Sequence, residues 1–258
     1  MRKRLNLYIK CKYIKECYNI NTKIYNIDLI NICDEIIINI GDRENNMKNY
    51  DAYIFDFDYT LADATEPVVG SFLYALEKMN LEKSSRQDII NTIGIPIGES
   101  YTILTGDDSE EGIALFKKYQ TEKSDEITVP NTVFIGDAKE VLQTLKNRGK
   151  KIGIVSSRWG QRINDIFENL NSRELIDFII GTEHVENYKP NPEGLFKMID
   201  MMDAKNPLYI GDSYIDAEAA QNAKIDFVGV TTGTTSREKL ESYPHIAVLD
   251  DLKDLLNI

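Results

Sequence analysis

At 258 residues, 42% apolar and 28% charged, the chain has enough apolar side chains for a buried core and a composition suited to water. A formal charge of −12 excludes a surface built to hold nucleic acid, because phosphate backbones demand clustered cations. Small anionic substrates stay compatible with it wherever a metal ion and a few cations reverse the field locally.

Residues 1–46 stand apart. They hold 11 Ile, 8 Asn, all three cysteines (Cys11, Cys17, Cys33) and 8 basic against 6 acidic residues. Removing that +2 from −12 leaves −14 for residues 47–258. Three cysteines in one segment make no disulfide framework and fit a reducing cytoplasm. The basic start, Met1 to Arg4, is followed by Lys10, Lys12, Lys15 and Glu16. These charges interrupt any apolar run long enough for an export signal or a membrane helix. Met47 directly precedes the first strongly patterned strand, so residues 1–46 are expected to be an appendage, poorly ordered or dispensable.

Next comes the strand Ala52-Tyr53-Ile54-Phe55, ending at Asp56. Residues 65–129 then show apolar side chains at helical spacing, such as Val69, Phe72 and Leu76, with no strand among them. They are predicted to form a small all-helical cap. Strand–helix alternation resumes after Pro130: a helix carrying Val141, Leu142 and Leu145, and the strand Lys151–Val155 delivering Ser156 and Ser157. A helix with Leu195 and Met198 follows, then the strand Leu208-Tyr209-Ile210, and two further helix and strand pairs. This alternation predicts an α/β fold, a doubly wound parallel-sheet (Rossmann-like) core of residues 47–64 and 130–258 with the cap inserted.

In such sheets, ligands bind beyond the carboxyl ends of the strands. Those ends read Asp56-Phe57-Asp58-Tyr59-Thr60, Ser156-Ser157-Arg158 and Gly211-Asp212-Ser213-Tyr214-Ile215-Asp216. A turn after the first strand brings Asp56 and Asp58 to one centre, and like charges that close repel unless a cation compensates. Magnesium suits the task, since it prefers carboxylate and carbonyl oxygens and keeps places for water and phosphate. Asp212 and Asp216, spaced i, i+4, lie on one helical face.

The set resembles the haloacid dehalogenase-like hydrolase superfamily, in its phosphoglycolate phosphatase-like branch with a helical cap. Four signatures stand in the family's order: Asp56-Phe57-Asp58-Tyr59-Thr60, Ser156, Lys189-Pro190, and Gly211-Asp212 with Asp216. The resemblance implies that Asp56 is the nucleophile, forming an aspartyl-phosphate, and that Asp58 is the general acid and base. It implies phosphoryl contacts from Ser156 and Lys189, with Thr60, Ser157 and Arg158 as further substrate contacts. It also implies a magnesium site of Asp56, Asp58 (through its backbone carbonyl), Asp212 and Asp216. Tyr59 departs from the family, which usually has glycine there. Residues 93–100, Ile-Gly-Ile-Pro-Ile-Gly-Glu-Ser, look like the cap loop of phosphoglycolate phosphatase-like members and are expected to help choose the substrate.

The implied activity is magnesium-dependent hydrolysis of a small phosphorylated metabolite by a cytoplasmic monomer or homodimer, with no nucleic acid or membrane partner. Phosphoglycolate, a sugar phosphate, a nucleotide and pyrophosphate are all compatible substrates. A β-phosphoglucomutase-like sugar-phosphate mutase would need the same Asp58. A non-enzymatic phosphorylatable switch, the third reading, lacks a helical insertion after its phosphorylated strand. Asp137 with Glu140 reads as a capping box, and His184 and His245, near no signature, read as structural. No Gly-rich phosphate loop of the nucleotide-motor type occurs.

Overall fold

The structure, a computed structural model, describes residues 49–258, so the expectation for residues 1–46 lies outside it. Among the described residues strand β1 (Ala52–Phe55) comes first and is followed by the two-residue β2 (Ala62–Asp63). Helices α1 (Thr65–Lys78), α2 (Arg86–Ile90), α3 (Ile97–Thr105) and α4 (Glu110–Asn131) come next. After β3 (Val133–Phe134) the elements alternate: α5 (Ala138–Asn147), β4 (Lys151–Val155), α6 (Gly160–Asn169) and β5 (Phe178–Ile180). The last part holds α7 (Glu193–Met202), β6 (Pro207–Gly211), α8 (Tyr214–Ala223), β7 (Asp226–Val230), α9 (Arg237–Glu241) and β8 (Ala247–Leu249).

Six of the strands form one all-parallel sheet in the order β5-β4-β1-β6-β7-β8. Helices on both faces leave β1 wholly buried, which is why its run is continuously apolar. Alternation still assigns its sides. Tyr53 and Phe55 pack with Val141, Leu142, Ile163 and Ile166, while Ala52 and Ile54 pack with Leu195, Met198, Ala217 and Ala220. Truncating a fully buried residue such as Leu142 to Ala costs about 2–5 kcal/mol. From β1 the chain winds outward through β4 and β5, then returns to β6 on the other side and continues to β7 and β8. The reversal lies between β1 and β6, and a crevice opens at their carboxyl ends.

Helices α1–α4 fill the interval between β2 and β3, which pair antiparallel and hold the two chain crossings together. They share an apolar cluster of their own, including Phe72, Leu76, Ile89, Tyr101 and Phe116, with Phe72 and Phe116 edge to face at 5.2 Å. Helix α4 runs past residue 129, where the sequence suggests a stop, and carries Pro130 in its last turn. There Asn131 Nδ2 donates to Ile127 O and Thr132 Oγ1 to Thr128 O, so side chains serve carbonyls at the helix end. The expected capping box at Asp137 does not form: Asp137 makes no side-chain cap. Asp137 and Glu140 instead face Lys253 Nζ, at 3.2 and 3.3 Å. His184 has a local role, its Nδ1 accepting from Gly181 N at 3.0 Å.

Candidate active site

The end of β1 is pinned by Asp56 N donating to Ile210 O at 2.8 Å. Phe57 is buried in the core, and its carbonyl accepts from both Leu61 N and Ala62 N, at 2.9 and 3.0 Å. The chain thus turns sharply, and Asp56 and Asp58 line the same cavity of about 40 Å³. The turn places Tyr59 at φ 59°, a left-handed conformation that costs a residue with a Cβ about 1–2 kcal/mol. This explains the glycine usual in the family. Here Tyr59 is held by Thr65 Oγ1, which donates to its hydroxyl at 3.0 Å, and by Thr232 Oγ1, which donates to its carbonyl.

Lys189 is the hub of the pocket. Its Nζ donates to Asp56 Oδ1 at 2.7 Å, Asp216 Oδ1 at 2.6 Å and the Tyr209 hydroxyl at 3.2 Å. Tyr209 in turn donates to Asp216 Oδ1 at 2.7 Å. The other oxygen of Asp216 accepts from Ser213 N and Oγ, at 3.1 and 2.5 Å, within the capping box that starts α8. Thr60 does not line either of the cavities described here; its Oγ1 donates to Asp212 Oδ1 at 3.1 Å. Among the hydrogen bonds of the described residues, none goes to Asp56 Oδ2 or Asp212 Oδ2.

Carboxylate oxygens of Asp56, Asp212 and Asp216 lie within 4.8 Å of one another, and all three residues are buried. Burial pushes the Asp56 carboxyl up to about 7; Lys189 pulls it down, while Asp216 and Asp58 add to the rise. Asp212 is held well above the usual carboxylate range by burial and by the charges of Asp216 and Asp56. Burial opposes the charge on Lys189, but Asp216 and Asp56 outweigh it and hold the ammonium above its ordinary value. Among the described residues, Asp56, Asp58, Asp212 and Asp216 face two cations, Lys189 and Arg158. With all four ionised, two charges would stay uncompensated, and a divalent cation with a taste for hard oxygen ligands would balance them. The free oxygens of Asp56 and Asp212 fit that ion, whereas both oxygens of Asp216 are already engaged.

Arg158 grips Asp58 in a bidentate pair, Nε to Oδ2 at 3.0 Å and Nη2 to Oδ1 at 2.6 Å. Its guanidinium lies 5.7 Å from the centre of the Phe57 ring. Ser156 is fixed by its N donating to Ile180 O at 3.0 Å, and its Oγ accepts from Arg158 N at 3.2 Å. Ser157 Oγ is the one buried side-chain polar atom without a hydrogen-bond partner among the described residues. A hydroxyl left so calls for a ligand. Asp58, Ser157 and Arg158 also line a second cavity, of about 820 Å³, whose other walls come largely from α1, α3, α4 and the loop before α3. Ile93, Gly94 and Ile95 of that loop line both cavities.

The structure thus gathers Asp56, Asp58, Lys189, Asp212 and Asp216 at one place, with Ser157 and Arg158 on its outer side. Tyr209, Ser213 and Gly233 carry no role in the sequence reading, yet all three touch the site's carboxylates. A tyrosine inside a buried strand signals a hydroxyl that needs a partner, and Ser213 three residues before Asp216 is a capping-box pattern. Gly233 meets Asp212 only through tertiary packing.

Comparisons with known proteins show the family and the fold. A model of the haloacid dehalogenase-like hydrolases matches residues 53–230. Pyrophosphatase PpaX of Bacillus mycoides (strain KBAB4) is 31% identical over 208 residues, which cover 80% of this chain and 94% of that protein. A provisionally named haloacid dehalogenase-like hydrolase from Bacteroides fragilis is 36% identical, covers 80% of this chain and 100% of its own, and superposes with a TM-score of 0.77. A predicted phosphoglycolate phosphatase from Haemophilus somnus 129pt shares the fold, with a TM-score of 0.75 at 22% identity over 82% of this chain and 98% of that one.

Proposed function

The chain belongs to the haloacid dehalogenase-like hydrolases, and from that membership we propose that it is a magnesium-dependent phosphatase releasing phosphate from a small phosphorylated metabolite through Asp56. The observation that carries this reading is the buried carboxylate of Asp56 at the sheet's reversal, 2.7 Å from Lys189 Nζ and beside Asp212. Asp56 attacks phosphorus while Asp58, let go by Arg158 and carrying a proton taken from water, delivers that proton to the departing oxygen. Water then attacks the same phosphorus; Asp58 takes its proton, and the bond to Asp56 breaks as phosphate leaves. Lys189 holds negative charge on the phosphoryl oxygens, as do the hydroxyls of Ser156 and Ser157. Thr60 and Asp216 act through their partners, Thr60 by orienting Asp212 and Asp216 by fixing Lys189.

Magnesium, held by Asp56, Asp212 and the Asp58 carbonyl, would supply positive charge to the transferring group when bound. Asp216 joins the site by completing its charge, and its oxygens stay with Lys189, Tyr209 and Ser213. The helical insertion serves as a cap, with residues 93–100 at the pocket mouth. Among the described residues no helix is long and apolar enough to cross a membrane. Cysteine usage supports a cytoplasmic setting, and a monomer or homodimer suffices for this site.

The test is a panel containing pyrophosphate, 2-phosphoglycolate, sugar phosphates and nucleoside monophosphates, assayed for phosphate with magnesium. At least one member should be turned over, chelator should stop the reaction, and Asp56→Asn should abolish it while circular dichroism stays native. Turnover surviving in Asp56→Asn would overturn the mechanism.

A further inference from the structure

The larger cavity, about 820 Å³, begins where the chemistry ends: its floor is Asp58, Ser157 and Arg158. Under the phosphatase reading Asp58 protonates the departing oxygen, so the leaving group faces this cavity. Cavities of ~300–1,000 Å³ hold whole organic ligands, and a single inorganic phosphate fills only a small part of this one.

Apolar side chains make the larger part of its walls, with Thr92, Thr102, Gln120, Thr121 and Thr182 set among them. Val68, Phe72 and Ile97 line it, joined by three large apolar side chains that stand open: Ile103 (62% exposed), Trp159 (49%) and Tyr188 (42%). Exposed apolar groups scattered singly need no explanation, but three converging on one cavity mark a binding surface. The charges on these walls are few and mostly paired in this structure. Arg158 is held by Asp58, and Arg162 donates to Ser124 O at 2.8 Å and to Asp125. Among the described residues Lys117 alone of the lining cations lacks a carboxylate partner, and Glu99 shares the wall with it. A departing phosphate would need several free cations to replace its water, and Arg158, freed when Asp58 gives up its proton, is one. An apolar body needs none of this.

Resting on the phosphatase reading, we propose that the substrates of this chain are organic phosphate monoesters whose alcohol carries a flat, largely apolar body, and that pyrophosphate is a poor substrate. Trp159 and Tyr188 cover the faces of that body, and Ile97 and Ile103 its edge.

The experiment compares 2-phenylethyl phosphate, ethyl phosphate and pyrophosphate with the full chain in magnesium. The two esters have leaving alcohols of similar acidity, so their ratio reads the cavity rather than the chemistry. The expected kcat/KM for the phenylethyl ester exceeds that for ethyl phosphate at least ~10-fold, the scale of apolar pocket discrimination, and exceeds that for pyrophosphate as well. Trp159→Ala and, independently, Ile103→Ala should lower the phenylethyl-to-ethyl ratio. Equal use of the two esters, a ratio indifferent to both variants, or pyrophosphate as the best substrate would overturn the proposal and leave the phosphatase reading standing. Failure of the phosphatase reading looks different: no phosphate from any of the three, or the same release from Asp56→Asn.

Discussion

Gly233→Ala is the perturbation that probes the candidate metal pocket most finely, because it adds one methyl group and removes nothing. A Cβ at residue 233 would lie 1.8 Å from Asp212 Oδ2, 2.6 Å from its Cγ and 2.8 Å from its Cβ. Real Cβ contacts essentially never fall below 3.0 Å, so the loop and the carboxylate must part by at least 1.2 Å. Neither partner can yield freely. Asp212 is tied by the Thr60 hydroxyl at 3.1 Å and hemmed in by Asp56 and Asp216. On the loop, Thr232 donates to the Tyr59 carbonyl, and Thr231 N and Oγ1 reach Leu249 O at 2.9 Å and Asp250 Oδ1 at 2.7 Å. The loop is held by three hydrogen bonds and the Asp212 side chain by one, so most of the displacement falls on Asp212. A shift of that size typically costs ~10²-fold in rate, and disturbing what positions a metal ligand costs ~10–100-fold in metal affinity. Titrating phosphate release with magnesium should show both, a higher half-saturating concentration and a lower kcat, in a protein that still folds. An unchanged magnesium requirement together with an unchanged kcat would refute the placement of Asp212 in the metal site.

Other changes have defined outcomes. Tyr59→Gly should keep the fold and phosphate release, because the left-handed strain it relieves, ~1–2 kcal/mol, offsets the lost Thr65 contact; thermal melting checks this. Lys189→Met leaves buried carboxylates unpaired, which typically costs ~3–5 kcal/mol, and should also abolish turnover; a melting temperature equal to wild type would contradict the charge balance drawn above. In chelator, the raised Asp56 carboxyl favours the fold while protonated. That contribution is complete below the unfolded value near 3.8 and is lost as pH rises through about 7. Melting of the metal-free wild type relative to Asp56→Asn should therefore worsen from pH 5 to pH 8, and magnesium should remove that trend. A difference flat across this range would show that burial does not hold the Asp56 carboxyl up.

Much of this was legible in the sequence because the relevant strands are buried on both sides. Their runs are continuous and their ends therefore sharp, which marked Asp56, Ser156 and Asp212 directly. The departure at Tyr59 was visible too, although only the backbone gives its reason: a turn that needs positive φ. Strand β5 escaped notice because Phe178–Ile180 is three residues long at the sheet edge. Pro130 suggested a boundary, yet α4 absorbs it in its final turn, where few bonds remain to be lost. Asp137 and Glu140 carry the spacing of a capping box, but Lys253, 113 or more residues away, draws both carboxylates outward. The Arg158–Asp58 pair and the approach of Gly233 to Asp212 join distant segments, so no local pattern announces them.

The central claim is that phosphorus passes through Asp56. Asp58→Asn slows loss of the intermediate while leaving the nucleophile in place, since general acid–base assistance is typically worth ~10²–10⁴-fold. The decisive measurement is peptide mass spectrometry of this variant, quenched in acid during turnover of a phosphate ester with magnesium. The peptide containing Asp56 should carry one phosphoryl group, localised to that residue and absent from Asp56→Asn treated alike. A variant that turns over substrate with no phosphoryl group on Asp56, or with the group on another residue, would contradict the account.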